Sequence, residues 1–197
     1  MQKKEIQEQR IKGYFIEAAK EMLKGEGLKS ISVRNIAERA GYSYTTLYNY
    51  FKDLNELIFL CVKDFQNECE AFIKEEINKE PRGTEKIKAI TKAYIKYFVQ
   101  YPGIFELFFI EKISNIGSKQ PTTELISTFL DRLCIEEWDY CINQEIISKE
   151  KAGMMMRQLR FFTTGVLLLY LNRLQPADYK DFIATTDEQL NQILNKQ

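Results

Sequence analysis

The chain has 197 residues, 45% hydrophobic and 28% charged, with four prolines and nine glycines; that length gives one or two domains a real core and excludes a disordered or collagen-like polymer. Histidine is absent, which removes Ser-His and Cys-His nucleophile pairs, imidazole metal ligands and the commonest general base. The formal net charge is zero, yet residues 1–52 hold 10 Lys+Arg against 6 Asp+Glu and residues 53–197 hold 18 against 22, so a basic N-terminal quarter precedes an acidic body and points to an anionic partner at one end.

Apolar spacing is helical along nearly the whole chain. The first ten residues, MQKKEIQEQR, are polar and lack the apolar run of a signal peptide. Ile11, Phe15, Ala18, Ala19, Met22 and Leu23 recur at three- and four-residue intervals, and Gly25 and Gly27 end that helix. A short helix is expected from Val33 to Ala40 with Ser32 as its N-cap, then a break at Gly41. A second short helix, Tyr44 to Tyr50, follows Ser43, another good cap. Longer helices are expected at 54–78, 84–100, 104–116, 122–147, 150–174 and 177–194. They are separated by the Glu80-Pro81-Arg82-Gly83 turn, Tyr101-Pro102-Gly103, the Gly117–Pro121 loop and Gln175-Pro176. No stretch alternates as a strand does. The expected fold is all-α with about nine helices: a three-helix head over 1–52 and a larger helical bundle over 53–197.

The four cysteines, at 61, 69, 134 and 141, form no C-x-x-C. Within each pair they lie two helical turns apart, too far for a disulfide, so core packing is the expectation, with no metal site. The longest nearly uncharged stretch, Phe161 to Asn172, is well short of the ~20 residues that cross a bilayer. A reducing, cytoplasmic setting with no membrane partner is the expectation.

The span Ser30 to Phe51, SISVRNIAERAGYSYTTLYNYF, is where constraints coincide. Two short helices joined by a Gly corner make a helix-turn-helix when their apolar positions face each other. Ile36, Ala37 and Ala40 supply one inner face; Leu47 supplies the other, with Tyr48, Tyr50 and Phe51 closing the core. Gly41 takes positive φ at no steric cost. The outward positions of the second helix are Tyr44, Thr45, Thr46, Tyr48 and Asn49, whose hydroxyls and amides can grip phosphates or read base edges. Ser32 and Arg34 start the preceding helix, where a phosphate is favoured, and Lys52 extends the basic rim.

These residues are similar to a known family. Ile11-x-x-x-Phe15-x-x-Ala18-Ala19, Ile31-Ser32-Val33, Ile36-Ala37-Glu38-Arg39-Ala40-Gly41 and Thr46-Leu47-Tyr48-x-Tyr50-Phe51-Lys52-Asp53 resemble the N-terminal domain of the tetracycline-repressor (TetR) family. The resemblance covers residues 8–60, under a third of the chain. It implies a homodimeric transcription regulator, usually a repressor, whose three N-terminal helices bind double-stranded operator DNA. Its variable body would hold an effector pocket. The DNA contacts it implies here are Ser32, Arg34, Tyr44, Thr45, Thr46, Tyr48, Asn49, Tyr50 and Lys52, with Tyr48 and Lys52 mostly on backbone and Tyr44 to Thr46 as readers. Two departures stand out. Tyr44 replaces a small or basic residue, and Leu54 stands where a phosphate-gripping lysine usually starts the fourth helix.

The body is rich in aromatic residues. Tyr94, Phe98, Phe105, Phe108, Phe109, Trp138, Met155 and Phe161 either line a cavity for a small apolar or aromatic effector or simply fill the core. Arg157, Arg160 and Arg173 are expected to be solvated or paired with acids such as Glu136, Glu137 or Asp139. The last two helices are the dimer candidates: Leu159, Phe162, Thr163, Val166, Leu167 and Tyr170 form one stripe, and Leu190, Ile193 and Leu194 a second. Two such subunits would require a palindromic operator. No spaced constellation of carboxylates or lysines points to an enzyme, and no cofactor is implied. The alternative is a DNA-binding regulator or architectural protein with no small-molecule effector.

Overall fold

The computed structural model describes residues 2–77, 79–110 and 120–195. Among them there is no strand, and ten α-helical segments follow one another: α1 Gln2–Glu26, α2 Val33–Arg39, α3 Tyr44–Leu47, α4 Leu54–Glu76, α5 Thr84–Gln100, α6 Pro102–Phe105, α7 Gln120–Ser127, α8 Phe129–Asn143, α9 Lys149–Leu171 and α10 Tyr179–Leu194. A 3₁₀ turn at Leu28–Ser30 links α1 to α2, and a π-helical turn at Glu106–Ile110 extends α6. The all-α reading therefore holds, with ten segments rather than about nine.

The difference lies in the middle of the chain. The expected single helix over 122–147 is two, because Thr128 at φ −101°, ψ 4° interrupts the ladder between α7 and α8. It then stops at Asn143, where Glu145 turns left-handed (φ 56°). There Ile146 N–H donates to Cys141 C=O (2.9 Å) and Glu145 N–H to Ile142 C=O (3.0 Å), a Schellman closure. The same closure, with Arg173 at φ 56°, ends α9 three residues before the expected Leu174. The expected helix over 104–116 starts earlier, at Pro102; its residues 111–116, like Asn78 and the 117–119 part of the expected loop, lie outside the described residues. Gln120 and Pro121 belong to α7.

The chain forms two compact units, Met1–Asn67 with Tyr101–Ile126, and Glu68–Gln100 with Ser127–Gln197. In the first, α1 buries Phe15, Ala18, Ala19, Met22 and Leu23 along one stripe. Ile36, Leu47, Phe51 and Phe65 are buried in the same unit, Phe51 edge-on to Phe15. Gly103 of α6 lies directly on the end of α1: a Cβ there would stand 2.6 Å from Leu23 C=O and 2.9 Å from Lys24 C=O. Only glycine permits that approach of two backbones.

The second unit packs α5, α8, α9 and α10 around Tyr97, Phe98, Phe129, Trp138 and Phe182. The cysteines are all buried and free, as expected. Burial pushes the Cys61 thiol up to about 12, with Asp64 adding to the rise.

Candidate DNA-binding head and helical body

The corner of the head is built from local rules. Gly41 sits at φ 77°; its N–H donates to Glu38 C=O (3.0 Å) and Tyr42 N–H donates to Ala37 C=O (2.9 Å). Ser32 caps α2 by accepting from Asn35 N–H (3.1 Å), and Ser43 caps α3 by accepting from Thr46 N–H (3.2 Å). Asp53 begins α4 by accepting from Glu56 N–H (2.9 Å), while Glu56 reaches back to the Lys52 N–H (2.8 Å). The helix α3 is shorter than expected, ending at Leu47 and continuing as a turn through Tyr50.

Beneath the corner, Phe15 is enclosed by Tyr42 (5.3 Å between ring centroids), Tyr50 (6.2 Å) and Phe51 (6.1 Å). Tyr50 is thus half-buried against the core, whereas Tyr48, expected to help close it, stands 53% exposed. Tyr44 is 51% exposed, and Thr45, Asn49, Arg34 and Lys52 are exposed as well. Ser32 and Thr46 are partly covered. Arg39 is tied back to α1 by Glu26 (2.9 Å) and Glu21 (3.9 Å).

The aromatic residues of the body are sorted by burial. Phe105 and Phe108 are buried in the first unit, with Phe109 half-buried and 5.1 Å from Phe105. Tyr94, Phe98, Trp138 and Met155 are buried in the second unit. Tyr94 and Phe98 meet edge-on at 4.8 Å, and Phe129 completes the cluster 5.9 Å from Tyr94. Phe161 stands apart, 75% exposed on α9.

Of the residues expected at a dimer interface, Leu159, Thr163, Val166, Leu167, Leu190 and Leu194 are buried within the unit, while Phe162, Tyr170 and Ile193 are partly exposed. The apolar face that α9 leaves open carries Phe161, Gly165, Leu168 and Leu169, and with α10 it borders a groove of about 670 Å³. Arg160 pairs with Asp131 (3.4 Å) rather than with Glu136, Glu137 or Asp139.

Sequence reasoning missed two features. Glu137 is buried, accepting from Gly83 N–H (2.8 Å) and Arg82 Nε (3.3 Å), with Lys86 Nζ at 3.4 Å. Burial alone would raise its carboxyl, but the Gly83 amide and the two cations outweigh that and hold it below the ordinary value. The second feature is a groove of about 440 Å³ between α5 and α10. Contacts from Lys88 to Asn191 (2.7 Å) and Lys92 to Asp187 (2.8 Å) link the two helices. The lysines' i, i+4 spacing is legible in sequence; their partners, about a hundred residues away, are not.

With this geometry in place, the comparison with known proteins is direct. Residues 15–60 match the family model of bacterial regulatory proteins, tetR family. The head therefore carries a tetR-family domain. The chain is 25% identical over 158 residues to the fatty acid metabolism regulator protein of Bacillus subtilis (strain 168), covering 78% of this chain and 77% of that one. Its fold is shared with the crystal structure of the transcriptional regulator FadR from Bacillus subtilis in complex with stearoyl-CoA. That match has a TM-score of 0.70 and 16% identity, over 93% of this chain and 98% of the other. The fatty acid degradation regulator FadR from Bacillus halodurans gives 0.63 and 18%, over 93% and 94%. The match over the head and the similarity to a curated regulator support a DNA-binding transcription regulator. The family model describes regulatory proteins and the curated relative is a regulator protein. No helix among the described residues is long and apolar enough to cross a membrane.

Proposed function

We propose that this protein is a TetR-family, effector-responsive repressor that binds a palindromic operator as a homodimer, with a long-chain fatty acyl-CoA as its effector. Residues 1–52 form the DNA-binding head and residues 53–197 the effector and dimer body. The observation that carries the reading is the head itself. A glycine-cornered pair of capped helices presents Tyr44, Thr45, Tyr48 and Asn49 outward, with Arg34 and Lys52 as cations beside them. The effector class is supported by the fatty acid metabolism regulator among the relatives and by the stearoyl-CoA held by a protein of the same fold. An apolar acyl chain suits a body this rich in aromatic side chains. The open α9 face supports pairing of two copies, since a two-fold axis there buries the same stripe from both subunits.

Regulation requires the effector to bind one spacing of the two heads more tightly than the other. A shift from nearly all bound to nearly all free needs about 5.5 kcal/mol of such preference. The test is selection of fragments of the source genome by the purified protein, followed by titration of the recovered duplex with stearoyl-CoA, stearate and CoA. Recovery of sites sharing one palindrome, released by stearoyl-CoA and not by CoA, is expected. Selected sites that no acyl-CoA releases would remove the effector assignment, and a folded dimer that enriches nothing at low salt would remove the operator reading.

A further inference from the structure

The polar groups of the recognition turn are not equally free. Ser43 Oγ lies 2.7 Å from Thr45 Oγ1 and 2.8 Å from Thr46 Oγ1, and it also accepts the Thr46 N–H. Both threonine hydroxyls are therefore engaged within the cap. Next to them, the Arg34 guanidinium of α2 lies over the Tyr44 ring of α3, 5.9 Å from its centroid. Among the described residues Arg34 has no carboxylate within ion-pair distance, unlike Arg39, which is bound to Glu26 and Glu21. The ring is what holds Arg34. A guanidinium resting on an aromatic face keeps its planar fork of donors pointing outward and loses less side-chain freedom when it binds.

We propose that Tyr44 is a positioning residue: its ring, carried by the recognition helix, fixes the Arg34 guanidinium of the neighbouring helix so that the two engage DNA as one unit. The consequence is a change in rank. Thr45 and Thr46 act chiefly inside the cap, and the contribution of Arg34 to binding depends on an aromatic ring at position 44. This gives a physical role to the tyrosine that stands where the family resemblance implies a small or basic residue. The proposal rests on the operator-binding reading, and its test separates the two.

The test is a thermodynamic cycle on the full-length dimer with the duplex recovered by genomic selection. Arg34→Ala is measured in three backgrounds: wild type, Tyr44→Phe and Tyr44→Leu. The expected result is that Arg34→Ala costs about two- to fivefold less affinity in the Tyr44→Leu background than in wild type, the size of an exposed cation–π contact. The Tyr44→Phe background, which keeps the ring, should restore the wild-type cost. Both side chains are exposed, so the variants keep the fold, which circular dichroism verifies. In the free protein, NMR should show the Arg34 side-chain protons shifted upfield by the ring, the shift surviving Tyr44→Phe and vanishing in Tyr44→Leu. An equal cost of Arg34→Ala in all three backgrounds, or unshifted Arg34 protons, overturns the proposal while leaving operator binding intact. If the wild-type protein selects no duplex, the operator reading itself fails and the positioning role falls with it.

Discussion

Glu137→Ala is the sharpest test of how the second unit is held. The Glu137 carboxylate is 3% exposed and accepts the Gly83 N–H at 2.8 Å. Gly83 precedes α5, and its carbonyl accepts from Ile87 N–H (3.0 Å), so its own amide is one of the donors that a helix start leaves without a partner. Its φ of 92° and the 3.3 Å that would separate a Cβ from Cys141 Sγ fix the backbone there. Losing a hydrogen bond to a charged acceptor costs about 1.5–3 kcal/mol. Stranding a fully buried cation would raise that to about 3–5 kcal/mol. Arg82 and Lys86, however, keep 52% and 33% side-chain exposure, so water takes them back. The expected cost is therefore about 2–3 kcal/mol for Glu137→Ala. For Glu137→Gln, whose amide oxygen still accepts the Gly83 N–H, it is about 1 kcal/mol. The assay is urea unfolding at fixed protein concentration, followed by the fluorescence of Trp138, the single tryptophan. Because the folded carboxyl titrates below its ordinary value of 4.5, its contribution is complete above that value. The charge-dependent part is lost as pH falls through the lower folded value, so the gap between wild type and Glu137→Ala should narrow under acid toward the gap between Glu137→Gln and Glu137→Ala. A Glu137→Ala variant within 0.5 kcal/mol of wild type, on the order of an ordinary surface substitution, would refute the capping argument. A Glu137→Gln variant as unstable as Glu137→Ala would show that charge, not the Gly83 acceptor, dominates.

Gly103→Ala should destabilise by about 1–3 kcal/mol, read as a fall in Tm, because its Cβ meets the backbone oxygens of Leu23 and Lys24 and neither can swing aside; an unchanged Tm would place the two helices further apart. Glu145→Gly should stabilise by about 0.5 kcal/mol, since the left-handed φ of 56° costs a residue with a Cβ more than glycine's extra unfolded freedom takes back. Urea midpoints decide it. Phe161→Glu should leave the fold intact and weaken self-association by about 2 kcal/mol or more, seen by sedimentation together with loss of operator affinity; a dimer of undiminished strength would put the interface elsewhere. The four thiols should resist Ellman's reagent until the protein unfolds, because burial holds Cys61, Cys69, Cys134 and Cys141 above their ordinary range; fast reaction of any one in the native state would contradict its burial.

The head was legible because its determinants are local. Ser32 and Ser43 act on amides three residues away, and Gly41 lies in a turn spanning six residues, Ala37 to Tyr42. Each of these is written in spacing. The recognition helix came out shorter than its apolar pattern because Tyr48 and Tyr50 look alike in sequence, yet one faces solvent and the other rests on Phe15. Nothing local distinguishes them. The contact that orders Arg34 was hidden for a related reason: it joins two helices across the corner, and only their crossing brings the ring under the guanidinium.

The body shows the opposite balance. Helical periodicity told that α9 has an apolar stripe, but Leu159, Thr163, Val166 and Leu167 are spent on packing within the unit. A helix in a dimerising protein has to satisfy two apolar contacts at once, one with its own core and one with its partner, and period 3.6 reports only their sum. The stripe left over, Phe161, Gly165, Leu168 and Leu169, runs at i, i+4, i+7 and i+8 beside the first. Gly165 falls on it with nothing within 4 Å of a Cβ. A helix interior gives up about 1 kcal/mol for glycine over alanine, and inside the protomer no crowding requires it. Under the proposed pairing, close approach of a second α9 at that position would supply the requirement, which makes Gly165→Leu a second probe of that pairing. A partner backbone crossing there would be pushed off by the larger side chain, whereas a free surface would gain helix propensity and lose nothing.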